Sequence, residues 1–366
     1  MPSRIPMVLD VDTGVDDALA LLYACASPEV ELVGVTCVGG NVDARQVAEN
    51  TRAVLELAGR ADVPVALGRE RPLEKPLETS TETHGPRGIG HAELPPATRP
   101  LQQVDGADLI IAAARERPGK LVLVTLGPLT NVAVALGREP ALPRLLGGYV
   151  LMGGAFGSPG NTTPTSEWNI HVDPHAAKRV FEHWAKPGAG DWRSDETAGA
   201  GPAPLPLALG LNVTEQARLR PEHLRHLAVR ADALPLDAAG LGAEPVEAVG
   251  TVAANPVLRF IADALRFYFE FHAKYDGFYG AFIHDPLAVA AAIDRTLVES
   301  RPTFVDVETG PGLAHGMTIA DFRGLTRRPP NVDVVVAADI DRFLDRLVER
   351  VGGLAARMPV PARHPA

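Results

Sequence analysis

Four carboxylates crowd one short stretch near the start of the chain and limit what it can become: Asp10, Asp12, Asp16 and Asp17 in Met7-Val8-Leu9-Asp10-Val11-Asp12-Thr13-Gly14-Val15-Asp16-Asp17-Ala18. An apolar run of strand length ends in two alternating acids, turns at Thr13-Gly14 and resumes with helical period. On a strand, Asp10 and Asp12 project to the same side, while Asp16 and Asp17 open the helix. A single acid there is an ordinary cap that complements the helix dipole. Four repel one another unless some are protonated or paired elsewhere, and a hard cation such as calcium or magnesium gives a reason to gather them.

The segments that follow alternate strand and helix. Asp17 to Ala26 reads as a helix, Glu31 to Val38 as a buried strand, and Asp43 to Ala58 as a helix after the Gly39-Gly40-Asn41 turn. This βαβ unit puts Asn41 beside the acidic turn, at the carboxyl ends of neighbouring strands, where open parallel sheets place ligands. Further strands are predicted at Val63 to Leu67, Leu121 to Thr125, Tyr149 to Met152, Leu207 to Thr214 and Val332 to Ala337, and long helices at Gly106 to Arg117 and Pro256 to Tyr275. The fold class is therefore α/β: one large domain over 1–352, with an open, mostly parallel sheet flanked by helices and an active site at the strands' carboxyl ends. Two Gly-, Pro- and Ala-rich intervals, near 185–206 and 230–247, read as surface insertions, and 353–366 as a disordered tail.

At 366 residues the chain can bury a substantial core, and its formal net charge of −10 argues against nucleic acid or an anionic membrane as partner. A small molecule is the natural ligand. Cys25 and Cys37 lie in apolar periodic segments and read as core residues in a reducing compartment. No apolar stretch has the length of a secretory signal or a bilayer span, so a cytoplasmic location is expected.

Five motifs, in order, carry a family resemblance. Asp10 to Ala18 closely resembles the N-terminal signature of the calcium-dependent nucleoside hydrolases of the inosine-uridine-preferring type. Thr83-His84-Gly85-Pro86-Arg87-Gly88 resembles their His-Gly loop, and its glycines would permit a mobile flap over sugar and base. Gly127-Pro128-Leu129-Thr130-Asn131 matches a Gly-x-Leu-Thr-Asn segment. Met152-Gly153-Gly154, Gly160-Asn161 and Glu167-Trp168-Asn169 follow, and His284-Asp285-Pro286 matches the late signature. The resemblance spans roughly residues 4 to 350.

It implies hydrolysis of the N-glycosidic bond of a ribonucleoside to free base and ribose. Asp12, Asp17, the Leu126 backbone carbonyl and Asp285 would hold Ca²⁺, and Asp12 would take a proton from the attacking water. Asp16, Asn41, Asn161, Glu167 and Asn169 would grip ribose, with Met152 against the sugar and His84 near the base. In an extended backbone, Glu167 and Asn169 would point the same way. His284 would protonate the departing base, kept charged by its acidic surroundings, and Asp10 would orient Asp12 or the turn. Members of the family are commonly dimers or tetramers. Two rivals stay open: a haloacid-dehalogenase-type phosphatase with Asp10 as nucleophile and Thr125 in support, and a non-catalytic calcium-dependent nucleoside or sugar binder.

Overall fold

In the computed structural model, which describes residues 4–185, 203–232 and 255–358, the first strand β1 (Ile5–Val11) runs through the middle of the molecule. Its Met7, Leu9 and Val11 enter one apolar layer and its Val8 the other, so the run is apolar without a polar face. The strands β2 (Val30–Cys37), β3 (Val65–Leu67), β4 (Leu121–Thr125), β5 (Leu146–Met152) and β6 (Leu207–Leu209) follow in parallel. A small antiparallel pair comes next, β7 (Arg218–Leu219) with β8 (Ala281–Phe282). Then β9 (Val298–Thr303) returns to the sheet, β10 (Val305–Val307) and β11 (Thr318–Ala320) pair apart from it, and β12 (Val332–Ala338) enters parallel to β6 and antiparallel to β9.

The resulting eight-stranded sheet has the order β3-β2-β1-β4-β5-β6-β12-β9. Chain direction across the sheet reverses between β1 and β4, where successive connections leave on opposite sides and open a crevice at the carboxyl ends. Register fixes what meets there: Asp10 lies beside Thr36 on one side and Thr125 on the other. Asp12, the residues after Cys37 and Leu126 therefore emerge together.

Helices Val15–Ala26, Ala44–Leu57, Pro256–Tyr275, His284–Ile293 and Ile340–Arg357 pack on one face, and Gly106–Glu116, Thr130–Arg138 and Pro174–Ala185 on the other. Helix His284–Ile293 is buried from His284 to Ala291, which accounts for its small, almost wholly apolar sequence after Asp285.

Several expectations change. The strand predicted for Leu207 to Thr214 stops at Leu209, and Leu211–Thr214 forms a helical turn, which brings the buried Thr214 hydroxyl to His284. The closing helix runs past residue 352 to Arg357, because Leu354 and Ala355 are buried and Ala355 accepts from Asn255 Nδ2; the tail expected from 353 thus starts too early. Of the insertions proposed near 185–206 and 230–247, the parts 186–202 and 233–247 lie outside the described residues, and so does the tail after Met358. Cys25 and Cys37 are free thiols, and burial pushes both up to about 12. Among the described residues no helix is long and apolar enough to cross a membrane.

Candidate active site

The crevice at the β1/β4 switch holds a cavity of about 540 Å³. Its deep end is acidic. The turn Asp12-Thr13-Gly14 is wound so that Asp17 accepts from the backbone N–H of Asp12 at 3.2 Å and of Gly14 at 2.8 Å, which ties the first helical turn back onto the strand end. Asp12 Oδ2 accepts from the Asn41 backbone N–H at 2.9 Å, while Asp12 Oδ1 is buried without a hydrogen-bond partner. Two glycines make room for this carboxylate: a Cβ at Gly40 would lie 2.1 Å from Oδ2 and one at Gly127 2.8 Å from Oδ1.

Asp285 arrives from the other end of the sequence, at the start of helix His284–Ile293. Oxygens of Asp16, Asp17 and Asp285 all lie within 4.8 Å of one another. Burial raises the pKa of each, and their mutual charge adds to it for Asp16 and Asp285; Asp16 reaches about 7. Asp12 is raised too, by burial and then by Asp17. Charges of one sign held this closely out of water are unfavourable unless protonated or neutralised. An all-oxygen set with one bare buried carboxylate oxygen fits a hard divalent cation.

Leu126 contributes only its carbonyl, which accepts from Asn169 Nδ2 at 2.6 Å and keeps its second lone pair. Asn41 Nδ2 donates to Asp17, and its Oδ1, buried at the cavity, has no partner. Asp16, Asn41, His84, Leu126, Met152, Asn161, Glu167, Asn169, His284 and Asp285 line the cavity; Asp12 and Asp17 are buried parts of its acidic floor that do not themselves line it. Asn161 sits at the exposed rim, where its Oδ1 accepts from the Trp168 N–H at 3.0 Å.

Glu167 and Asn169 do not share an extended backbone as expected. Glu167 caps the short helix Trp168–Val172, accepting from the N–H groups of Asn169, Ile170 and Gly154. Burial still raises its pKa against those three bonds. The flap expected around His84 is instead seated on the acidic turn. Thr81–His84 forms one helical turn, His84 Nδ1 accepts from the Val15 N–H at 3.1 Å, and Asn50 Nδ2 holds Arg87 O at 2.7 Å.

The opposite wall is aromatic. Helix Pro256–Tyr275 presents Tyr268, Phe271, His272 and Tyr275, and Phe282 closes the side nearest His284. His284 Nδ1 lies 2.8 Å from Thr214 Oγ1, which leaves Nε2 for the cavity. The expectation that acidic surroundings keep His284 charged fails: burial, with His272 and His84 nearby, lowers its pKa to about 3. Burial likewise lowers His84 to about 3.

Asp10 lies wholly buried behind the floor, its Oδ1 accepting from Thr36 Oγ1 at 2.5 Å and Asn131 Nδ2 at 2.7 Å. It braces β1 against β2 and helix Thr130–Arg138, and its hydrogen bonds do not reach Asp12. A phosphatase nucleophile needs open access that Asp10 lacks, and Thr125 is buried against Tyr149. Sequence reasoning missed Thr214, Tyr268, Phe271 and His272. The i, i+3, i+4, i+7 spacing of Tyr268, Phe271, His272 and Tyr275 was the available signal, but the same stripe marks any core-facing helix.

Residues 7–345 match the model of the family described as inosine-uridine preferring nucleoside hydrolase. The chain is 35% identical over 354 residues to the pyrimidine-specific ribonucleoside hydrolase RihA of Enterobacter sp. (strain 638), covering 96% of this chain and 99% of that one. Among solved structures, the purine-preferring ribonucleoside hydrolase from Gardnerella vaginalis superposes with a TM-score of 0.80 at 32% identity, covering 96% of this chain and 99% of that one. A plant nucleoside hydrolase gives 0.79 at 27% identity, covering 95% and 99%.

Proposed function

Because the chain belongs to the inosine-uridine preferring nucleoside hydrolase family, we propose that it cleaves ribonucleosides to base and ribose with calcium held by Asp12, Asp17, the Leu126 carbonyl and Asp285. That it is a ribonucleoside hydrolase, an enzyme of N-glycosidic bonds, follows from the family and its relatives. The finer reading rests on one observation: a cavity with buried, mutually repelling carboxylates at one end and an aromatic wall at the other. A ribose bearing hydroxyls and a flat base has that polarity.

Bound at the floor, calcium would supply a Lewis-acidic hold on the attacking water and on ribose hydroxyls. Asp12, whose Oδ2 is fixed by the Asn41 N–H, would both hold the cation and accept the proton of the attacking water. Asn41 Oδ1 accepts a hydrogen bond from a sugar hydroxyl, and Asp16 and Asn169 read others beside it. Glu167 acts chiefly by capping the turn that aims Asn169. Water adds at the anomeric carbon as the C–N bond breaks, and the bond's electron pair leaves on the base. His284 is neutral in its buried setting. Negative charge developing on the base favours the imidazolium, so His284 takes a proton from solvent as the C–N bond breaks and passes it from Nε2 to the leaving base, while Asp12 returns the proton of the attacking water to solvent.

The test is ribose release from inosine, cytidine and uridine, before and after removal of divalent cations by a chelator. Activity lost with chelator and restored by calcium supports the reading. Undiminished hydrolysis in chelator, or turnover of phosphate esters instead, overturns it.

A further inference from the structure

Asp12 is gripped between two turns. The one after β2 brings the Asn41 N–H and Gly40 to Oδ2, and the one after β4 brings Gly127 to Oδ1. The separation of those turns therefore sets where the carboxylate lies. A wholly buried side chain that does not line the cavity joins them: Asn131, in the first turn of helix Thr130–Arg138.

Asn131 Nδ2 donates to Asp10 Oδ1 at 2.7 Å and to the Cys37 carbonyl at 3.1 Å, and its Oδ1 accepts from the Arg69 N–H at 2.8 Å. Asp10 lies in β1, Cys37 ends β2, Arg69 follows β3, and the helix that carries Asn131 follows β4. One amide thus ties the carboxyl ends of four consecutive strands of the sheet, on both sides of the switch. Two routes lead from it to Asp12. The Arg69 carbonyl accepts from the Gly39 N–H at 3.0 Å, next to Gly40 and Asn41, and the Asp10 carbonyl accepts from the Leu126 N–H at 2.8 Å, next to Gly127. Gly68 makes room for the amide, since a Cβ there would lie 2.3 Å from Asn131 Oδ1 and 2.4 Å from Nδ2. Only an amide donates twice and accepts at once from this short side chain; a carboxylate or an aliphatic group of the same shape does not.

We propose that Asn131 is a positioning residue: by fixing the turns after β2 and β4 against each other, it holds Asp12 where that carboxylate meets the cation and the attacking water. This rests on the reading of Asp12 as cation ligand and base, and adds the residue that sets its place. Removing a group that orients a metal ligand from behind costs about 10- to 100-fold in affinity or activity.

The experiment compares the full-length wild type with Asn131→Ala, Gly68→Ala and Thr36→Val by calorimetric titration of the chelated proteins with calcium, by kcat on inosine and uridine at saturating calcium, and by melting temperature. Gly68→Ala dislodges the same amide without removing it. Thr36→Val deletes the other hydrogen bond to Asp10 Oδ1, at 2.5 Å, and leaves Asn131 and both turns bonded, so it reads the cost of a lost buried hydrogen bond alone. Asn131→Ala and Gly68→Ala are expected to weaken calcium binding and to lower kcat, each about 10- to 100-fold. Thr36→Val should lower the melting temperature and leave both unchanged. Calcium affinity and kcat that stay at the wild-type values in Asn131→Ala, or that fall equally in Thr36→Val, overturn the proposal and leave Asn131 a fold-stabilising residue. Should Asn131→Ala fail to fold, Gly68→Ala decides by the same comparison. A wild type that binds no calcium overturns the reading of the floor instead, and the kcat ratios among the variants then decide Asn131.

Discussion

The two ends of the cavity are built by different means. The acidic floor is made of backbone turns at strand ends: Asp12, Asp17 and the Leu126 carbonyl follow β1 and β4 at the point where the sheet reverses direction. The aromatic wall is made of side chains from one long helix and the turns around β8. A site fixed by backbone at a topological switch has little freedom to vary, whereas a helix face can exchange one flat side chain for another without disturbing the sheet. The relatives differ in the base they are named for, RihA for pyrimidines and the Gardnerella enzyme for purines. On the proposed reading the floor is the place for the bond-breaking chemistry and the wall the place for selecting the base.

That division breaks most visibly at the floor. Asp12→Asn is expected to lower ribose release at least about a thousandfold on every nucleoside. It should also leave the melting temperature of chelated protein equal or higher, because one buried repelling charge is gone. A variant that loses stability along with activity would make Asp12 a structural residue instead.

His284→Ala sits between the two ends and is expected to cost about 10²- to 10⁴-fold on inosine and uridine. On an activated aryl riboside, which departs without a proton, the loss should be much smaller. Equal losses on both would remove His284 as the proton donor. Removing its anchor is milder: Thr214→Val deletes one hydrogen bond to Nδ1 and should lower kcat about tenfold with little change in KM.

The floor was legible in the sequence and the wall largely was not, for a physical reason. Asp10, Asp12, Asp16 and Asp17 violate electrostatic economy within one turn, and a violation that local points to function. Asn41, Leu126 and Asp285 could be joined to them once the strand order was inferred. Tyr268, Phe271 and His272 break no rule, since an aromatic stripe at helical spacing looks like core. Thr214 was hidden because Leu207 to Thr214 reads as a continuous strand, and only the turn after Leu209 brings its hydroxyl to His284. The charge expected of His284 is not met because burial, which sequence does not display, lowers its pKa, with His272 and His84 adding to that.

The smallest expected effect concerns pH. Burial raises Asp10 and Asp16 from the usual carboxylate value to about 7 in the folded chain. A raised folded pKa gives stability that is complete below the unfolded value and lost as pH climbs through the folded one. Chelated protein should therefore melt progressively lower between about pH 4 and pH 7. Saturating calcium should flatten that slope, and an unchanged slope would separate the floor from cation binding.

Calcium binding by the stripped protein tests the division most directly, by titration calorimetry on wild type, Asp285→Asn and His272→Phe. A single ion bound per wild-type chain, lost in Asp285→Asn and retained in His272→Phe, is the expected result. No binding by the wild type, or binding that survives Asp285→Asn unaltered, would contradict a floor that joins the two ends of the sequence around one cation.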